Sequence, residues 1–230
     1  MTARRPWLVR PARSGDIAGI IEVCEEVYPA TRPWRPEQLE SHQTVFPEGQ
    51  LIAVDPDSGR IVGAAASLIV FWDNYNMHTT WWDMTGAGFF TNHDPVLGRT
   101  LYGAEIMVRP SLQGQGVGRT LYLGRSELVR DLKLLRIRAG ARLRGYSQYA
   151  DRMSPQEYTE RVIRGEIWDS TLSFQLRHGF SVLDVVPGYL RGDPDSLGNA
   201  AVIEWINPLV ATEADYGHGD PRYAQRTFKK

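Results

Sequence analysis

The sequence predicts a mixed α+β fold with a glycine-rich anion loop set between a strand and a helix. Three observations carry this prediction. Apolar spacing switches repeatedly between strand and helix periods, turn formers separate the segments, and Gly114, Gly116 and Gly118 fall between "TLYGAEIMV" and a helix buried at Val117, Leu121, Leu128 and Leu132. In chain order, "WLVRPA" reads as a first strand, and Ser14 or Asp16 caps a helix that ends near Pro29. Pro36 opens a second helix that runs to about Phe46, where "PEG" stops it. "QLIAVD" and "RIVGAAASLIVFW" flank the turn "PDSG" as a hairpin. After the glycine loop and its helix comes the strand "LLRIRAGARL". Ser154 and Glu157 then form a capping box, with Pro155 at the first helical position, and Asp169 caps "STLSFQLRHG". "FSVLDVVPGYL" and "AAVIEWINP" close the chain as strands.

Glycine inside a regular element costs about 0.5–1 kcal/mol relative to alanine, so a cluster of three needs a return. The physical return is an anion, because backbone N–H groups without neighbouring Cβ atoms can approach its oxygens at a helix N-terminus. Two phosphate loops fail on the residues present. A Walker loop needs lysine after its last glycine, where Arg119 stands. A dinucleotide fingerprint needs a third glycine, where Arg119 or Leu121 stands depending on the frame.

What remains is V-x-P-x-x-Q-G-x-G-V-G-x-x-L from Val108 to Leu121, and this resembles the acyl-CoA pyrophosphate loop of the GNAT acyltransferase superfamily. The element order agrees over about residues 7–208. The resemblance implies a GNAT fold: a twisted, mostly antiparallel sheet of about seven strands flanked by helices, with a splayed parallel pair at the cofactor site. It implies acetyl-CoA as acyl donor, with Gln113, Gly114, Gln115, Gly116, Val117, Gly118 and Arg119 on the pyrophosphate and the strand residues Ile106, Met107 and Val108 along the pantetheine arm. The segments "GYSQYADRMSPQEYTERVIRGEIWDSTLSFQLRHGFSVLDVVPGYL", "AAVIEW", "VYP", "FPEGQ" and "LYGAEIMV" are similar to the GNAT branch found fused ahead of carbon–nitrogen hydrolase (nitrilase-like) domains. The chain ends before a hydrolase domain, so it reads as a stand-alone member or an excised domain. One domain is expected over residues 1–210, with insertions at about 72–100 and 145–168, and a polar tail or arm over 211–230.

Composition narrows the classes. A net charge of −1 over 230 residues, with 42% hydrophobic and 23% charged residues, suits a globular domain and gives no whole-molecule attraction to nucleic acid. The arginines of "RIRAGARLRG" read as one solvated or ion-paired strand face. Cys24 is the single cysteine and sits on the apolar face of Ile17, Ile20, Ile21 and Val27, as a core residue. No apolar run is long enough to span a membrane and the basic N-terminus lacks a signal core, which gives a cytoplasmic expectation. A homodimer is compatible with this reading, and no metal is expected.

Transfer to an amine needs a route for the ammonium proton, a donor at the oxyanion and a stabilised leaving thiolate. The resemblance places the oxyanion donor among the backbone N–H groups of Ile106–Val108. Glu105 is a candidate base, and equally a structural partner of Arg136 or Arg138; Tyr102, on the opposite face, is the alternative, and Glu26 a third. The family commonly carries a tyrosine acid four residues before the glycine of Gly179-Phe180, and Gln175 stands there. Ser173, Tyr146 and Tyr149 are the substitutes. Trp72, Asp73, Trp81 and Trp82, in the aromatic-rich insertion with Phe89, Phe90, Asp83, His78 and His93, are candidates to bind a small-molecule or peptide amine by cation–π contact and charge, or else bury that insertion on the sheet.

Overall fold

The computed structural model describes residues 7–29 and 34–224. Its strands are β1 (Leu8–Pro11), β2 (Gln50–Val54), β3 (Ile61–Val70), β4 (Thr100–Val108), β5 (Arg136–Arg142), β6 (Ser181–Val186) and β7 (Ala200–Ile206). Its helices are α1 (Ile17–Val27), α2 (Pro36–Val45), the single turn α3 (Trp81–Met84), α4 (Val117–Asp131), α5 (Pro155–Ile163) and α6 (Leu172–Arg177). The chain divides into two units, Met1–Phe71 with Thr85–Leu134, and Trp72–Met84 with Leu135–Lys230. The aromatic-rich insertion is therefore shared between them.

In the first unit β1, β2, β3 and β4 pair antiparallel in sequence order. β3 is buried nearly throughout, because small residues (Gly63, Ala64, Ala65, Ala66) let helices close on both faces. On one face Ile20, Val23 and Cys24 of α1 and Leu39 of α2 pack on Ile52, Ala64 and Met107. On the other, Val117 and Leu121 of α4 pack on Leu51, Ala53, Val62 and Ala65, with Trp7 beside them. Cys24 is core, as its spacing predicts, and burial raises its thiol pKa to about 11.

The buried face of α4 differs from expectation. It runs through Val117, Leu121, Tyr122, Arg125 and Val129, while Leu128 is half-buried and Leu132 is 43% exposed. Steps of four keep Val117, Leu121, Arg125 and Val129 on one stripe, so the face begins with the expected Val117 and Leu121 and continues through Arg125 and Val129 instead of Leu128 and Leu132.

In the second unit β5 and β6 flank β7, both antiparallel to it. Ser154 Oγ accepts from Glu157 N at 3.1 Å, but Glu157 Oε1 bonds Arg161 Nη2 at 2.8 Å, so half of the predicted capping box forms. Asp169 Oδ1 accepts from Thr171 N and Leu172 N at 2.9 and 2.8 Å, the predicted cap. Asp169 Oδ2 also receives Gly145 N and the Tyr158 hydroxyl, and burial beside this carboxylate raises the Tyr158 pKa. The expected polar tail or arm is anchored at one point, where Asp220 N bonds Leu183 O at 2.8 Å and Tyr223 is fully buried, while most of residues 211–224 stays exposed or half-buried. Residues 1–6, with the basic start, and 225–230, with the end of the tail, lie outside the described residues. Among the described residues no helix is long and apolar enough to cross a membrane.

Candidate active site

The glycine loop leaves β4 at Arg109, passes a short 3-10 turn over Pro110–Leu112, and enters α4 through Gly116. Gly114 and Gly116 have φ of +77° and +92°, left-handed values that a β-carbon disfavours, and a Cβ built on either meets nothing within 4 Å. The cluster therefore serves the turn and leaves open space above it. Thr120 N is the first amide to find its helical acceptor, Gly116 O at 3.0 Å, so the N–H groups of Val117, Gly118 and Arg119 are the unfilled donors of the first turn. Gln113, Gly114, Gln115 and Arg119 are exposed around them. Trp7 Nε1 donates to Gln115 O at 3.0 Å and fastens the loop to the start of β1.

β4 presents its groups through a register shift. Ala66 pairs with Glu105 but Ser67 pairs with Gly103, which leaves Ala104 as the extra residue of a β-bulge. Leu68, which shares the parity of Ala66, pairs with Tyr102. Paired residues share a face, so Tyr102 and Glu105 lie on the same face, correcting the simple count of three that set them apart. Tyr102 is buried at 2% exposure, whereas Glu105 is half-buried on the α1–α2 side.

Glu105 Oε1 accepts the Tyr28 hydroxyl at 3.0 Å and the backbone N–H of Ile106 at 2.8 Å. Arg109 N donates to Val62 O, which sets the ladder: the Met107 N–H faces β3, while the Ile106 and Val108 N–H groups face away from it. Of the three strand residues expected along an acyl-pantetheine arm, Ile106 and Val108 offer donors. Met107 instead buries its side chain with α1.

The expected alternatives for Glu105 resolve differently. Arg138 Nε and Arg136 Nη1 bond Glu204 Oε2 at 2.7 and 3.5 Å. Glu26 is an ion-pair carboxylate, held by Arg109 Nη1 and, at 3.2 Å, by Arg60 Nη2. Arg109 itself is buried and also bonds Ile61 O and Glu22 Oε2. Neither Tyr28 nor Arg125 was singled out by sequence: the first signal is a tyrosine closing α1, the second a charge within an apolar stripe.

Beside Glu105 lies a cavity of about 20 Å3 whose lining includes Trp34, His42, Gln43, Gln50, Ala66 and Met107. His42 Nε2 lies 2.7 Å from Gly88 O and its ring stacks on Phe90 at 3.6 Å, inclined by 8°. Burial lowers the His42 pKa to about 4, so the neutral ring donates from Nε2 and Nδ1 is an acceptor without a hydrogen-bond partner. Ser41 Oγ and Gln38 Nε2 bond Phe89 O and Ala87 O. α2 thus holds the second part of the insertion by three side-chain contacts to its backbone.

In the other unit Trp72 and Asp73 lie in a short 3-10 turn and Trp81 and Trp82 in α3. The Trp72 ring faces the Arg138 guanidinium at 4.2 Å, and Trp82, 44% exposed, faces Arg191 at 5.4 Å. The protein's own cations therefore occupy these two aromatic faces. Asp83 accepts from Thr80 Oγ1, and Asp73 is exposed. Gln175 is buried in α6; Ser173 Oγ accepts from Asp169 N, the Tyr146 hydroxyl donates to Met153 O, and Tyr149 packs on Tyr158 and Arg152.

No family model matches the chain. It is 37% identical over 203 residues to the uncharacterized N-acetyltransferase YkwB of Bacillus subtilis, a match covering 86% of this chain and 88% of the relative. It is 40% identical over 203 residues to the probable hydrolase YhcX of the same organism, which covers 88% of this chain but only 39% of that longer relative. Among solved structures, the GphF GNAT-like decarboxylase in complex with isobutyryl-CoA superposes with a TM-score of 0.70 at 21% identity, over 86% of this chain and 98% of the other. The chain belongs to the family of the N-acetyltransferase relative and has the GNAT fold. The chain spans about two-fifths of the hydrolase relative, so that protein's full activity is not carried over.

Proposed function

We propose that this protein is an acyl-CoA-dependent N-acyltransferase that moves an acetyl group from acetyl-CoA to an amine by direct attack in a ternary complex. The observation that carries the reading is the geometry of β4. A carboxylate, Glu105, and an amide turned away from β3, Ile106 N–H, directly follow the bulge at Ala104, a few residues before a loop with three unfilled amide donors. The loop amides of Val117, Gly118 and Arg119 receive the pyrophosphate at the start of α4, where the helix dipole adds to them. Ile106 N–H receives the thioester oxygen as negative charge develops on it. Glu105, steadied by Tyr28, takes the ammonium proton of the acceptor, directly or through one water. The CoA thiol, with a pKa near 8.5 for an ordinary thiol, leaves without an obligatory protein acid, which accommodates Gln175. Trp72, Asp73, Trp81 and Trp82 are the acceptor-binding proposal, in which the amine displaces Arg138 and Arg191 from the Trp72 and Trp82 rings.

Gln175 at the customary tyrosine position favours one other reading, an acyl-CoA-binding module without catalysis. Titration calorimetry with CoA, followed by thiol release from acetyl-CoA across an amine panel, separates the two. Binding with amine-dependent release supports the transferase, binding with no release on any amine supports the module, and no CoA binding removes both.

A further inference from the structure

We infer that Arg125 is a positioning residue for the reaction: its buried guanidinium polarises the Glu105–Ile106 peptide and so strengthens the Ile106 N–H as oxyanion donor. The inference rests on the transferase reading above and deepens it.

Arg125 is 2% exposed, in the middle of the apolar stripe of α4. Its Nη2 donates to Glu105 O at 2.6 Å and to Ala66 O at 3.2 Å, the two carbonyls beside the register shift. Among the described residues no carboxylate lies within ion-pair distance of it, and its Nε has no hydrogen-bond partner. A buried charge is normally balanced by an opposite one, since the effective penalty of burying an ion is several kcal/mol. Here two peptide oxygens, the Tyr122 ring 5.6 Å away and the more distant Glu105 carboxylate compensate it, none of them as a direct ion pair.

The peptide that receives the short bond is the informative one. Its oxygen belongs to Glu105 and its N–H to Ile106, so guanidinium, carbonyl and amide form a single hydrogen-bonded chain. Accepting a charge-assisted bond at the oxygen draws electron density from the nitrogen and makes its hydrogen a stronger donor. That amide already holds an anionic oxygen, Glu105 Oε1 at 2.8 Å. When the acyl group arrives, the thioester oxygen takes the amide and the carboxylate, kept by Tyr28, turns to the acceptor. A positive charge with no direct ion-pair partner behind this peptide then meets the negative charge of the tetrahedral intermediate. The same low-dielectric burial that makes Arg125 expensive makes this interaction strong.

The test reads the carbonyl of bound acetyl-CoA and needs no knowledge of the acceptor. With [1-13C]acetyl-CoA saturating the full chain, isotope-edited infrared difference spectra give the thioester stretch for the wild type, Arg125→Met and Arg125→Gln. The wild type is expected to shift the stretch to lower frequency than in buffer, and both variants to keep less than half of that shift. Gln preserves a neutral donor to the two carbonyls, so it retains the fold if Met does not. With an acceptor in hand, kcat falls about tenfold or more while KM for acetyl-CoA stays within about twofold. An undiminished shift in a variant that binds acetyl-CoA overturns the role of Arg125 alone. A wild type that binds acetyl-CoA with no shift removes the oxyanion reading and this inference with it.

Discussion

The Tyr28 hydroxyl donates to Glu105 Oε1 at 3.0 Å, tying the end of α1 to the bulge of β4. This bond gives the carboxylate an anchor other than the Ile106 amide. Tyr28→Phe removes the anchor and leaves the ring, so the stability change stays near the net worth of one hydrogen bond, about 1 kcal/mol. Turnover is expected to fall about tenfold with KM for acetyl-CoA nearly unchanged. Melting curves beside steady-state kinetics check this, and a loss confined to stability would make Tyr28 structural only.

Glu105→Gln keeps the size of the side chain and a hydrogen bond from Tyr28 but removes the base. The variant should lose about 10²–10⁴ in kcat/KM near neutral pH and regain much of it as the pH approaches the amine pKa. A pH–rate profile that runs parallel to the wild type in a folded variant retires Glu105 and leaves Tyr102, or no protein base at all.

The fold was legible because its signals are local. Pro36 at the first position of α2, the Ser154 and Asp169 caps, and the "PDSG" turn, where Asp55 N bonds Arg60 O, each depend on neighbours a few residues apart. The glycine loop was legible for the same reason. What escaped depends on pairing between distant segments. The bulge at Ala104 arises from β3 and reverses the face count between Tyr102 and Glu105. Arg125 is explained only by carbonyls from β3 and β4. Trp72 and Arg138 are far apart in sequence, so the cation already facing the ring could not be foreseen.

His42 predicts an acid limb in stability. Its pKa falls from 6.5 to about 4 on folding, so the unfolded chain binds the extra proton between these values. Stability is therefore complete above about pH 6.5 and declines as pH falls toward 4, by about 3 kcal/mol in all. Burial also lowers the His93 pKa, which acts on stability in the same direction. His42→Gln should lose part of that acid dependence, measured as denaturant midpoints across pH. Equal slopes in both proteins would show that His42 titrates normally.

Glu204 balances two arginines at a buried position of β7. Loss of solvation lowers the Arg138 pKa and Glu204 raises it. Glu204→Gln leaves that guanidinium without a counter-ion and should cost about 3–5 kcal/mol, read from chemical denaturation. A cost below about 1 kcal/mol, the range of an exposed pair, would show that water reaches the site.

Gly116 separates binding from folding. At a φ of +92° with open space around a built Cβ, Gly116→Ala should cost about 1–2 kcal/mol in backbone strain. It should also weaken CoA binding by tenfold or more as the first-turn amides shift. Calorimetry with an intact melting transition measures this, and unchanged affinity would place the pyrophosphate elsewhere.

The most direct measurement follows the acetyl group itself. The full chain is mixed with isotopically labelled acetyl-CoA and a panel of primary amines, and products are read by mass spectrometry alongside free thiol. Direct transfer predicts the label on the nitrogen of a subset of amines, one thiol released per product, and no labelled protein when the amine is omitted. Bound acetyl-CoA that stays intact with every amine, or thiol release that ignores the amine, would contradict the account.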